Sequence, residues 1–259
     1  MAGQTAGEAT GRVAGLDGCP GGWVCVRWDG ASHALAERLS DLALLFEGAD
    51  APHLAAIDIP LGLPERAGAG GRAPERLVRP HLGGRQSSVF SVPARAAVEA
   101  GAGEGEERAR YVRACAVARA TSDPPRSMSK QCFHILPKVL EAGRLLRARA
   151  DLRERLFECH PEVSFWAMNG RREVPVPKKI KGRVNPAGLE ARLALLAAAG
   201  FPTQGITAAA ARALQAGFDD LVDACAAAWS ARRIQDGVAM RFPDPPEQDA
   251  HGLAVAIHA

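Results

Sequence analysis

Val13-Ala-Gly-Leu-Asp17-Gly-Cys-Pro-Gly-Gly-Trp23-Val-Cys-Val-Arg-Trp28-Asp-Gly-Ala31 is the stretch that decides how this chain folds. Residues 12–17 form a short apolar run, which ends on Asp17-Gly18-Cys19-Pro20-Gly21-Gly22, a strong turn signal. Residues 23–28 then alternate: Trp23, Cys25 and Arg27 share one face, and Val24, Val26 and Trp28 share the other. That period, with β-favouring side chains, predicts a strand. Asp29-Gly30 is the preferred dipeptide of a two-residue type I′ hairpin, so residues 31–38 are expected to return as a third strand.

Working outward, Ser40 reads as an N-cap, with Asp41 in the first turn of a helix reaching about Glu47. Residues 54–59 (Leu-Ala-Ala-Ile-Asp-Ile) read as an apolar strand interrupted only by Asp58 and stopped by Pro60. Reached through a helix, it is most simply parallel to an earlier strand. From Leu61 to about Ala150 the texture changes: Gly and Pro are dense up to Pro93, Arg recurs, and helices are predicted at 94–100, 104–120 and 137–150. Because a strand pattern resumes at 155–159, this region reads as an insertion or lid.

His160-Pro161-Glu162 opens the next helix, with Pro at an early position. Residues 170–185 read as a basic, Pro-containing loop, 186–199 as an amphipathic helix closed by Gly200, and 218–235 as the last long helix. The tail from Pro243 reads as loop, with an edge strand at 253–257. The expectation is one α/β domain over 11–257, preceded by a flexible tail at 1–10.

Composition excludes several classes. Of 259 residues, 47% are hydrophobic and 24% charged, so the chain is not dominated by disorder. A net charge of +3 is too small to argue nucleic-acid binding by itself, and 5% aromatics leave no extended base-stacking platform. The six cysteines (Cys19, Cys25, Cys115, Cys132, Cys159, Cys225) form no C-x-x-C pair and read as buried thiols of a reducing compartment. No secretory leader or membrane span is expected, which points to a cytoplasmic protein; the oligomeric state, monomer or homodimer, stays open on the sequence. Walker A and G-x-S-x-G sequences are absent, and the glycine clusters near 68–71 and 101–103 do not make a dinucleotide fingerprint. Lysine occurs only at Lys130, Lys138, Lys178, Lys179 and Lys181, arginine supplying the other basic residues, which hints at a phosphate-facing segment.

Carboxylates stand where charge is costly. Asp17 closes one apolar strand, Asp58 lies inside another, and Asp220 and Asp223 belong to a helix apolar nearly all round. At about 100° per residue, Asp220, Asp223, Ala224, Ala227 and Ala231 share a face whose alanines permit close approach to a sheet. Acids directed at a common site repel one another and lose hydration unless a cation compensates. Mg²⁺ is the natural compensation, since it takes oxygen ligands from one or two carboxylates together with substrate phosphate.

The stretch 13–24 resembles the opening of the domain-of-unknown-function 429 proteins, often described as predicted ribonuclease H-like nucleases. So do Ile57-Asp58-Ile-Pro-Leu-Gly-Leu-Pro64, Gly84-Arg85-Gln-Ser-Ser-Val-Phe90, Ser129-Lys130-Gln131 and Pro137-Lys138-Val139. Glu158-Cys-His160-Pro-Glu162-Val-Ser-Phe165 and Asp220-Leu-Val-Asp223-Ala224 extend the resemblance over nearly the whole chain. The resemblance implies a ribonuclease H-like mixed sheet of strand order 3-2-1-4-5, flanked by helices. In that superfamily, acids on the first strand, the fourth strand and a late helix bind Mg²⁺. Asp17, Asp58 and the pair Asp220 and Asp223 match those positions, and Glu158 would end the fifth strand near the same site. Family members often carry a basic residue where this chain has Pro20.

The expectation is therefore a Mg²⁺- or Mn²⁺-dependent phosphodiesterase acting on a nucleic acid. Asp17, Asp58 and Asp223 would hold metal, Asp220 or Glu158 would complete the set, and Arg85, Lys130, Lys138, Lys178 and Lys179 would meet substrate. His160 suggests acid–base help. Two alternatives stay open on the sequence: a nucleotide-binding phosphotransfer protein that wraps the Gly18–Gly22 turn around a triphosphate, and a non-catalytic nucleic-acid-binding protein.

Overall fold

Strand alternation decides what each face of the central sheet meets. In the computed structural model, which describes residues 11–259, β1 (Val13–Cys19), β2 (Gly22–Trp28), β3 (Ala34–Leu39), β4 (Leu54–Ile57) and β5 (Leu156–Glu158) form one five-stranded sheet. The proposed tail at 1–10 lies outside the described residues. The strand order is β3-β2-β1-β4-β5, antiparallel through the first three and parallel from β1 to β4 to β5. This is the order the resemblance implies.

Four helices separate β4 from β5: α1 (Ala73–Val78), α2 (Arg95–Ala102), α3 (Glu107–Ala120) and α4 (Lys130–Ala148). After β5 come α5 (Pro161–Met168), a small hairpin of β6 (Lys179–Ile180) and β7 (Arg183–Val184), then α6 (Pro186–Ala198), α7 (Ala208–Ala213) and α8 (Phe218–Gln235). A second small sheet, β8 (Arg241–Gln248) with β9 (Ala254–His258), ends the chain.

Ala14 and Leu16 of β1, with Ala55 and Ile57 of β4, join a core built with α2, α3 and α4. The alternate residues Val13, Leu54 and Ala56 join a second core with α8. The inserted helices thus form a packed layer on one sheet face, and α8 covers the other. Gly15 makes the α8 contact close: a Cβ there would lie 2.0 Å from the Ala228 amide nitrogen and 2.1 Å from the Ala224 carbonyl oxygen. The alanine face read from the sequence meets that glycine.

Local chemistry moved several boundaries. Asp29-Gly30 does not make a two-residue hairpin. The Asp29 carboxylate accepts from the amides of Ala31 (2.8 Å) and His33 (3.1 Å), which holds a longer loop, so β3 starts at Ala34. The segment after Ser40 is a 3-10 turn at Leu42–Phe46, capped by Asp41 and not by Ser40. β4 ends at Ile57, so Asp58 sits just beyond it. Pro137 does not start a helix but lies within α4, which Ser129 caps eight residues earlier in the same segment. One missing amide bond is tolerated there because α4 buries an apolar face. The final segment pairs within itself and meets the main sheet at one bridge, Cys159 to His258. All six cysteines are buried and unpaired. No helix among the described residues is long and apolar enough to cross a membrane.

Candidate metal centre

Register brings two of the acids together. Leu16 pairs with Ile57 in the parallel β1–β4 ladder, and the Asp58 amide donates to the Leu16 carbonyl at 3.0 Å, so Asp17 and Asp58 are the next neighbours along it. Both continue the alternation that turns Val13, Gly15, Leu54 and Ala56 toward α8. Asp223 comes from α8 itself. One ligand oxygen from each of Asp17, Asp58 and Asp223 lies within 4.8 Å of the others.

The three are held differently. Asp17 Oδ1 accepts from the Gly18 amide at 2.6 Å. Asp223 is buried, its Oδ2 pairs with the Lys178 ammonium, and its Oδ1 is buried with no hydrogen-bond partner. Burial, followed by the charges of Asp58, Asp223 and Asp220, pushes Asp17 well above the ordinary carboxylate range. Burial, followed by Asp223, lifts Asp58 to about 8. Burial also raises Asp223, to about 6, with Lys178 pulling the other way. Lys178 in turn is raised by its acid neighbours, against the effect of its own burial. Three ionised carboxylates here would exceed the positive charge around them, so burial and mutual repulsion favour protonated acids.

Glu158 ends β5 and lines the same cavity, as expected, but its carboxylate is not one of the three that converge. It pairs with Ile57, not with the position of Asp58, so the pleat turns it to the opposite face of the sheet. There the Arg72 guanidinium binds both its oxygens, Arg72 also binds Glu75, and the Leu61 amide donates to Oε2 at 2.7 Å. Burial raises Glu158 to about 7 while Arg72 opposes the rise. Nothing in the Gly- and Pro-dense stretch around Arg72 signals that role.

Asp220 lines the same cavity as the three acids, but its Oδ2 accepts from the Gly217 amide (3.1 Å) as a helix-capping contact. Asp219 pairs with Lys179 at 2.6 Å. Lys138, Lys178 and Lys179 line the cavity. The Lys138 ammonium donates to the Gly22 carbonyl and lies 4.3 Å from the centre of the Trp23 ring. Arg85, on a 3-10 turn at Gly83–Ser88, and Lys130 are not cavity residues. Lys130 pairs with Glu107 at 3.0 Å and sits over the Tyr111 ring. His160 lines the cavity as a neutral ring: burial lowers it to about 4, and its Nδ1 is buried without a partner.

The family model described as "Protein of unknown function (DUF429)" matches residues 15–248. The chain belongs to the DUF429 family. No curated protein and no solved structure matches it. The span shared with other DUF429 proteins runs from β1 into β8 and contains all three converging acids.

The donor set suits a hard cation. Oxygens bound to one octahedral Mg²⁺ at about 2.1 Å lie about 3.0 Å apart when adjacent and about 4.2 Å apart when opposite, so separations within 4.8 Å close to that geometry by carboxylate movements of roughly 1–2 Å. Three carboxylates, one of them with an orphaned buried oxygen, fit such an ion. In this DUF429 protein Asp17, Asp58 and Asp223 are the residues able to hold it.

Proposed function

We propose that this protein is a Mg²⁺- or Mn²⁺-dependent phosphodiesterase. What carries the reading is the meeting of Asp17, Asp58 and Asp223 from three separate elements, with Asp223 Oδ1 buried and unpaired. A buried acceptor without a partner costs roughly 1–3 kcal/mol, and a cation removes that cost. When bound, the ion supplies Lewis-acid stabilisation of phosphoryl charge and lowers the pKa of water.

The chain's own groups do the positioning. Asp17 and Asp58 are fixed by the sheet ladder and Asp223 by α8, so the carboxylates need little reorganisation. Lys138 and Lys178 place positive charge beside the acids, where a substrate phosphate would need it. The neutral His160 offers a ring nitrogen for a hydrogen bond or a proton. The Gly18–Gly22 turn, the alternative nucleotide loop, is a tight hairpin in which Cys19 pairs with Gly22, so its backbone serves the ladder.

The test is cleavage of labelled DNA, RNA, hybrid and branched substrates in Mn²⁺. The wild type is expected to cut at least one of them, and Asp17→Asn to lose about 100-fold or more of that rate, the scale of a lost electrostatic stabiliser. Equal rates in the two proteins would remove Asp17 from the chemistry.

A further inference from the structure

The acids lie in a cavity of about 420 Å³, within the roughly 300–1,000 Å³ range of small-molecule sites. Its walls come from three places. The inserted helices supply Gln131, His134, Ile135 and Lys138, which recur at helical spacing on one face of α4. The loop before α2 supplies Val89, Phe90 and Val92, and the segment at the β6–β7 hairpin supplies Lys178 and Lys179. These walls are anchored: Arg72 ties the start of α1 to Glu158 of β5, and Lys138 ties α4 to the Gly22 carbonyl.

The lining mixes two chemistries: the acids and lysines, and the apolar side chains Phe90, Val92 and Ile135, which α4 and the loop before α2 present together with the exposed Gln131 and His134. His160 Nδ1 adds an unsatisfied polar atom between buried walls. A ligand matching both chemistries carries a phosphate and a flat, largely apolar group with hydrogen-bonding edges.

The cations argue against a long duplex. A duplex carries one charge per about 1.7 Å of its axis, so a bound tract needs cations spread along a track. Here the lining cations are Lys138, Lys178, Lys179 and Arg72, and Arg72 is already bound to Glu158 and Glu75. Beyond the cavity, Lys130 is engaged by Glu107, and Arg95 by Asp249 and Glu65. We infer that the site takes a single nucleoside-phosphate unit, free or at the end of a strand, with the base against Phe90, Val92 and Ile135 and the phosphate toward Lys138 and the acid cluster. This rests on the reading of the acids as the metal site and narrows its substrate.

Binding measurements on the full chain in Mg²⁺ test it. Adenosine 5′-monophosphate is expected to bind at least tenfold more tightly than inorganic phosphate. Ile135→Trp, which fills the space beside the apolar lining, and Phe90→Ala, which removes a flat apolar surface from it, should each weaken the nucleotide at least tenfold. Both should leave phosphate and Mn²⁺ binding within about twofold. A short strand with a terminal phosphate that binds as well as the mononucleotide identifies strand ends as the source, and a weaker one identifies free nucleotide. Either result supports the inference. Nucleotide binding no tighter than phosphate, or equal competition by a covalently closed duplex, overturns it. Intact nucleotide binding without any Mn²⁺ binding sinks the metal reading and leaves the nucleotide site standing.

Discussion

Two buried acid clusters sit on opposite faces of the same sheet edge, and they are treated in opposite ways. At the end of β5, Glu158 with Glu75 surrounds Arg72, whose guanidinium also donates to the carbonyls of Leu61 and Gly62. Every charge there has a partner. At the ends of β1 and β4, Asp17, Asp58 and Asp223 share Lys178 as close counter-charge, and one oxygen has no partner at all. A satisfied ionic cluster holds a structure together, whereas an unsatisfied one stores unfavourable energy that a ligand can relieve. The difference separates structural acids from candidate functional ones when composition and burial are alike.

The comparison breaks most visibly at Arg72. Arg72→Met leaves Glu158 and Glu75 buried without their cation, and the expected loss is roughly 3–5 kcal/mol, as when one partner of a buried pair is removed. Chemical denaturation of the variant beside the wild type measures it. A loss under about 1 kcal/mol would show that the triad is not the anchor of the insertion.

The contrast between the clusters was only half legible in the chain. Alternation of period two along residues 13–17 and 54–58 puts Asp17 and Asp58 on matching faces once the strands are known to be parallel, and the alanines beside Asp223 point to a close helix. Glu158 lines the cavity as read, but its turn toward Arg72 was not legible, because the face of a three-residue strand depends on its register, and that register is set by Ile57, about a hundred positions away. The Lys178–Asp223 pair spans 45 positions and leaves no local trace. α4 extends back through Pro137 because its buried face outweighs the one amide the proline lacks. β8 was unreadable because its three prolines argue against a strand, and they sit where its register with β9 is interrupted.

A smaller effect is expected at Asp58, and its sign runs the other way. Folded, Asp58 titrates near 8, against about 3.9 in an unfolded chain, so between those values the native state holds a proton that the unfolded state has released. Stability of the metal-free protein should therefore fall as pH rises from about 4 to 8. Asp58→Asn removes the Asp58 share of that dependence and leaves the shares of Asp17 and Asp223. In chelator at pH 8 the variant should melt roughly 3–10 °C above the wild type, with the gap closing toward pH 4. A wild-type melting temperature that is flat or rising over this range would mean the acid cluster is already compensated.

The finest test separates Lys178 from an imported cation. Its ammonium occupies one oxygen of Asp223 and is itself only partly exposed, so an incoming ion meets a resident positive charge. Lys178→Met removes that charge while keeping much of the apolar stem, and leaves the three acids with less compensation than before. Mn²⁺ affinity, read by calorimetry, should then rise about tenfold, equivalent to ~1.4 kcal/mol, even if turnover falls because a phosphate-facing cation is lost. Weaker Mn²⁺ binding in the variant would make Lys178 a support for the site and not a competitor. The two clusters would then be alike in kind: each a set of carboxylates built around one basic side chain.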